Sequence, residues 1–522
     1  MSQHPQYRRI APLALLALLA LLSATAPAQR RPRTTGAVVG TVEHVWKPVR
    51  DGGAEVTAIE VRTVVQLQSD SVVQAFSLNA PITYAGVAGI ADRVRNFEVT
   101  DALGTVPLRI ENDAPNAGGF PFYRHWRAER AVRFPLTIAY RSLAPDKALR
   151  EPPFGLFATA GGVSGAGSGF LVLPETPARV TTRVHWDLSD LAAGSSGVTS
   201  FGDGDVQLDG PADGVRQGWI MAGPLGKYPA QGGGAGFSAV WLGTPAWDPE
   251  PEMRWTATMY EYLGKNYRYL NPLPSYRVFV RVGAQGGTAL GASFMGGAAA
   301  RQPGAAPQGQ SPRETFTHEM GHLFVGAVRA PDGISSWFSE GLNTYYTRLL
   351  PMRGGFTSVD DYGKDINRAF REYYDGSARN FSADSITRVG FTDNTIRHMP
   401  YVRSSLYFAD LDSRIRAHSR GARNLDAVLQ ELFVRRASGT AFDHAAWIEI
   451  VVREAGAEAA AMFQNIIIAG TQTLVPASDA FGPCFERRDV AAQVADGKET
   501  RRAGYAWVRV PGRSDEQCRA SW

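Results

Sequence analysis

Cysteine is nearly absent: only Cys484 and Cys518 occur in 522 residues. That scarcity excludes a cysteine-built metal centre, because no second group of ligand-type residues surrounds either thiol. It leaves room for one disulfide closing a 34-residue separation (518 − 484), with two free thiols as the alternative. Histidine is also scarce, at nine residues. Charge of one sign is lacking too: the formal net charge is only +4, which selects neither nucleic acid nor an anionic membrane as the main partner. No internal repeat is evident. After the first two dozen residues no apolar run reaches the length of about 20 that a spanning helix needs.

The one apolar run is N-terminal. Arg8 and Arg9 precede Ile10 to Leu22, which is almost all Leu and Ala, and Ala26-Pro27-Ala28 follows. A basic start, a short apolar core and a small-x-small site make a secretory signal peptide over residues 1–28. An uncleaved anchor is the alternative, and the run is short for one. The expectation is an exported, periplasmic or secreted protein with no stable membrane insertion after cleavage.

Residues 29–247 alternate apolar and polar side chains at period two. Ala54–Val61, Val132–Tyr140 and Ala178–Trp186 read as strands punctuated by Gly, Pro, Asn and Asp. They predict an antiparallel β-sandwich-like domain. From about residue 250 the period lengthens. Met253–Leu270 reads as a helix and Tyr276–Val282 as a short strand. Gly283–Gln310 is a Gly/Ala-rich stretch, an edge strand or loop, and helices then run almost to Gly470. Residues 248–470 form the helical domain, and 471–522 a short tail. The fold class is α+β and multidomain.

Ser311-Pro312-Arg313-Glu314 has the composition of a capped helix start. The helix it opens carries His318-Glu319-Met320-Gly321-His322. Histidines at i and i+4 share one face and can bind one ion, while Glu319 between them can act on a water instead of the metal. A catalytic zinc needs a third protein ligand. Beyond a turn at Pro331-Asp332-Gly333, a second helix, Trp337–Leu350, capped by Ser335 and stopped by Pro351, presents Glu340 to the histidines. A chance HExxH is expected on the order of 0.01 times per chain of ordinary composition, so the pattern outweighs a structural pair of surface histidines. His44, His125, His185, His398, His418 and His444 stand alone and read as structural or solvated.

The stretch His318–His322 followed by Trp337-Phe338-Ser339-Glu340-Gly341-Leu342-Asn343-Thr344-Tyr345-Tyr346 resembles the glycyl aminopeptidase family of gluzincins, relatives of aminopeptidase N and leukotriene hydrolase. The resemblance extends over residues 250–470 and implies a thermolysin-like catalytic domain behind a β domain. It implies one Zn²⁺ per chain held by His318, His322 and Glu340, with Glu319 as general base and peptides or proteins as substrates. It places Tyr401, in Pro400-Tyr401-Val402-Arg403, as donor to an oxyanion; a core tyrosine is the alternative there. Three departures stand out. Leu323-Phe324-Val325-Gly326 replaces the family's Trp and Asn. Ala289, in Gly286–Ser293, stands where relatives carry an amine-binding Glu. The tail is too short for the PDZ domain that many relatives carry. An oligopeptidase or endopeptidase, a strict aminopeptidase and a non-catalytic binding homologue therefore all remain open.

Overall fold

The computed structural model describes residues 37–67, 72–116, 121–233, 236–330, 334–390, 393–495, 498–520 and 522. The expected signal peptide and the turn at 331–333 lie outside the described residues.

The first part is β-rich. A seven-stranded sheet runs in the order Val206–Pro211, Arg179–Trp186, Gly40–Val49, Ala58–Leu67, Leu136–Leu143, Val94–Asp101, Gly104–Thr105. Its neighbours are antiparallel except Gly40–Val49 and Arg179–Trp186, which run parallel. Strand Leu136–Leu143 buries every second residue, as a sheet with one face on a core requires. A second sheet, containing Phe122–Ala128, closes on that core: Trp126 stacks on Phe97 of the first sheet at 4.8 Å. Two of the expected strands start late. Asp51 and Gly52 turn the chain with φ of 49° and 80°, and pairing begins at Val49↔Ala58 instead of Ala54. Pro135 offers no N–H to a ladder, and the strand begins at Leu136.

The second part holds a five-stranded sheet in the order Leu225–Tyr228, Phe237–Leu242, Tyr276–Val282, Ser293–Ala298, Gly287–Ala289. Its first two strands precede residue 247, where the change of period had set the boundary. The three middle strands are parallel, and helix α1 (Pro249–Tyr267) is the crossover between two of them. Every residue of Tyr276–Val282 is buried, because both faces of this strand are covered. Tyr276, Val278 and Val280 face the helical core. Phe279 packs instead with Trp219 and Met221 of the β-rich part. On that same face Arg277 donates to Thr199 O and Arg281 to Pro153 O, both at 2.7 Å.

Helices follow: α2 (Arg313–Val325), α3 (Ser336–Ser339), α4 (Gly341–Arg353), α5 (Val359–Asp375), α6 (Ala383–Val389), α7 (Asn394–Arg397) and α8 (Met399–His418), with further helices to residue 468. The chain is thus a β-rich part followed by a mostly helical one, an α+β protein. The tail does not stand apart. Cys484 and Cys518 are bonded, and Trp507 stacks on Phe370 of α5 at 4.2 Å, so the tail completes the helical core. Among the described residues no helix is long and apolar enough to cross a membrane.

Candidate metal and active site

α2 begins at Arg313, with Pro312 and not Ser311 at its N-cap. The expected capping box is not formed, because Ser311 donates to Glu252 at 2.7 Å and Glu314 is paired with Arg368 at 3.2 Å. The helix ends at Val325. Gly326 turns away there with φ of 69°, and Arg436 donates to Phe324 O at 2.7 Å and to Val325 O. That arginine satisfies carbonyls the helix leaves unpaired. His318, Glu319 and His322 therefore sit in the middle and last turns of a well-ended helix.

The predicted second helix is divided. α3 stops at Ser339, α4 starts at Gly341, and Glu340 is the joint. Pro351 lies in the last turn of α4 and does not stop it, because Gly354 N–H closes on Leu350 O at 2.9 Å. Beneath the joint, Trp337 and Phe338 are buried among Phe408, Trp447 and Phe463, and Trp337 Nε1 donates to His444 Nε2 at 3.0 Å. His444 is thus structural, as expected.

Glu340 reaches both histidines. Its Oε2 lies 3.1 Å from His318 Nε2 and 3.3 Å from His322 Nε2. The two imidazoles stand nearly perpendicular, with centroids 4.7 Å apart. One donor atom from each of the three residues falls within 4.8 Å of the others. His318 and Glu340 are each 7% exposed, so these charges are largely withdrawn from water. Burial lowers the His318 pKa. Burial also opposes the charged form of His322, but the Glu340 carboxylate overrides it and holds His322 at about 9. Glu340 is driven well below the usual carboxylate range, its burial outweighed by His322 and His318. Two imidazoles and a carboxylate aimed at one point form a donor set that fits a tetrahedral zinc with one position left over. Glu319 is not part of the set. Burial pushes its carboxyl up to about 7.

Tyr401 sits in the first turn of α8, with its ring against His318 at 5.6 Å. Burial raises its phenol pKa well above the ordinary value, and the charges of Glu340 and Glu319 add to the rise. The sequence-predicted residues His318, Glu319, His322, Glu340 and Tyr401 are thus brought together. Gly287–Ala289 forms the sheet's edge strand, paired on one side with Ser293–Ala298. Beside it opens a cleft of about 490 Å³, lined by Trp247, Phe294 and Phe316 and, among the described residues, by no charged side chain. Thr315, on its wall, is one helical turn before Glu319.

No family model matches the chain, and no curated protein matches it. Among solved structures, an aminopeptidase N family protein from Idiomarina loihiensis superposes with a TM-score of 0.66 at 14% identity, over 86% of this chain and 79% of that one. This is the aminopeptidase N fold. The M1 zinc metallopeptidase from Deinococcus radiodurans gives a TM-score of 0.47 at 17% identity, over 84% of this chain and 96% of that one. Yeast LTA4 hydrolase in complex with bestatin gives 0.49 at 12%, over 88% and 74%.

Within this aminopeptidase N fold, several residues that build the site escaped sequence reasoning. Asn343 Nδ2 donates to His318 O at 2.7 Å and so ties α4 to α2. A Cβ on Gly321 would lie 2.0 Å from Asn343 Oδ1, so glycine inside the HExxH is what lets the helices close. Gly341 does the same for α8: its Cβ would lie 2.3 Å from Ser404 Cβ. Arg403, 1% exposed, then pins α8 through Phe381 O at 2.7 Å and Ile467 O at 3.1 Å. Asn343 had a signal in its spacing, three residues after Glu340 on the same helical face. His398, which stood alone in the sequence, stacks on Tyr401.

Proposed function

We propose that this chain is a zinc-dependent metallopeptidase of the glycyl aminopeptidase family, not restricted to substrates with a free N-terminus, with one zinc held by His318, His322 and Glu340. The observation that carries the reading is the convergence of those three donors beside a buried, non-ligating carboxylate, Glu319. Zinc, when bound, polarises the scissile carbonyl and acidifies a water toward neutrality. Glu319 takes a proton from that water on its carboxylate and passes it to the leaving amine. Tyr401 O–H donates to the oxygen on which negative charge develops. The edge strand Gly287–Ala289 pairs with an extended peptide by strand addition, and the uncharged cleft beside it receives apolar or small side chains. The same reading makes the protein an exported one, supported by the signal-like residues 1–28 and by the Cys484–Cys518 bond, which suits an oxidising compartment. Digestion of a peptide mixture with and without a chelator tests the enzyme reading; cleavage that ignores the chelator overturns it.

Tyr401→Phe is expected to lower kcat about 10²–10³-fold, the scale for one lost oxyanion donor, with a smaller effect on KM. An unchanged kcat would return Tyr401 to a packing role.

Ala289 bears on specificity. It lies on the edge strand and offers no carboxylate to a substrate ammonium. Glu314, a candidate to substitute, is already paired with Arg368, and Asp332 lies outside the described residues. A site that did pair the amine would lose about 3–5 kcal/mol without it, roughly 10²- to 10⁴-fold in rate. We expect matched free and N-acetylated peptides to be cleaved within about tenfold of each other, a difference of about 1.4 kcal/mol. If acetylation abolishes cleavage and free peptides are trimmed one residue at a time, the protein is a strict aminopeptidase.

A further inference from the structure

We propose that His398 is a positioning residue for Tyr401. The inference rests on the peptidase reading above. The Tyr401 ring packs against two imidazoles, His318 at 5.6 Å and His398 at 5.0 Å, each inclined by 28°. The first wall is fixed by Glu340, which the His318 ring touches, and by Asn343, which holds its carbonyl. The second wall needs its own support, because the His398 side chain is 51% exposed and no core encloses it. Glu372 supplies that support from α5, through a bond to His398 Nδ1. His398 is also the joint between α7 and α8. Its carbonyl accepts from Tyr401 N–H at 3.1 Å and from Val402 N–H at 3.3 Å. One residue thus contacts both the backbone of Tyr401 and its ring.

The effect on chemistry follows from geometry. A phenol that donates to a developing oxyanion must be held within about 0.5 Å of its productive place, and a misplacement of about 1 Å can cost 10²-fold. A ring packed against two imidazoles has less room to swing sideways than a ring packed against one. With His398 removed, the ring keeps its contact with His318 and loses the one with His398. Among the described residues, the side-chain bonds and ring contacts of His398 are with Glu372 and Tyr401, so its influence on the reaction is expected to pass through Tyr401.

Steady-state kinetics on one peptide substrate, with zinc content measured for each variant, test this. His398→Ala is expected to keep its zinc and lower kcat about tenfold, with KM nearly unchanged. His398→Phe, which can stack but cannot bond Glu372, should recover part of the loss. Glu372→Ala leaves the ring and removes its anchor; a milder loss of the same kind is expected, and this variant decides the matter if His398→Ala folds poorly. In a Tyr401→Phe background, His398→Ala should cost nothing further, because there is no phenolic proton left to aim. A loss of equal size in that background would overturn the proposal in favour of a structural role. So would full kcat in zinc-replete His398→Ala and Glu372→Ala, or a His398→Phe no better than His398→Ala. If Tyr401→Phe is itself as fast as the unsubstituted enzyme, the assignment of Tyr401 fails, and this inference with it.

Discussion

Glu319→Gln is expected to hold a full complement of zinc and to lose about 10²–10⁴-fold in turnover, the usual scale for a general base. Glutamine nearly copies the shape of glutamate, so the packing of a side chain that is 4% exposed is preserved. The three converging donors do not include it, so the metal stays. What is lost is the ability to accept a proton. Metal analysis and kcat on the same preparation check both halves. Near-normal turnover in a metal-replete variant would remove Glu319 from the mechanism.

The second large effect is on the metal. Unsubstituted protein should carry one zinc per chain, and His318→Ala, His322→Ala and Glu340→Ala should each lose most of it. Changing a group that merely supports a ligand costs about 10–100-fold in affinity, so loss of a ligand from a set of three should exceed about 10²-fold. Elemental analysis after dialysis against a weak chelator gives the answer; normal zinc in all three variants would sink the assignment.

How much of this was legible beforehand depends on the range of the interaction. His318 and His322 are one helical turn apart, so their common face follows from the repeat of the helix alone. Glu340 needed only the next helix. Its place at a joint between α3 and α4 was not legible, because the break is imposed from below by Trp337 and Phe338 packing on Phe408 and Trp447. His398 looked solitary because Glu372, which anchors it, comes from α5, 26 residues earlier, and a pattern within one segment carries no information about that partner. The strands of the β-rich part were recognisable in kind and displaced in position, since turns such as the one at Asp51-Gly52 decide where pairing starts. The boundary at 247 failed for a related reason. A change of period marks where helices begin, whereas sheet membership is settled by pairing, and Phe237–Leu242 pairs forward with Tyr276–Val282.

That pairing has a consequence for anyone who would dissect the protein. A fragment beginning at residue 248 would keep the HExxH helix and all three converging donors, yet it would leave behind two of the five strands of its own sheet. Strand Tyr276–Val282, buried along its whole length in the intact chain, would become a bare edge with Arg277 and Phe279 facing water and no β-rich part to receive them. Naked edges of that kind recruit one another. Such a fragment is expected to come out of solution as aggregate, whereas one cut ahead of Leu225 retains the full sheet. The helical half of this protein is not a removable cartridge; the wall it shares with its neighbour belongs to both.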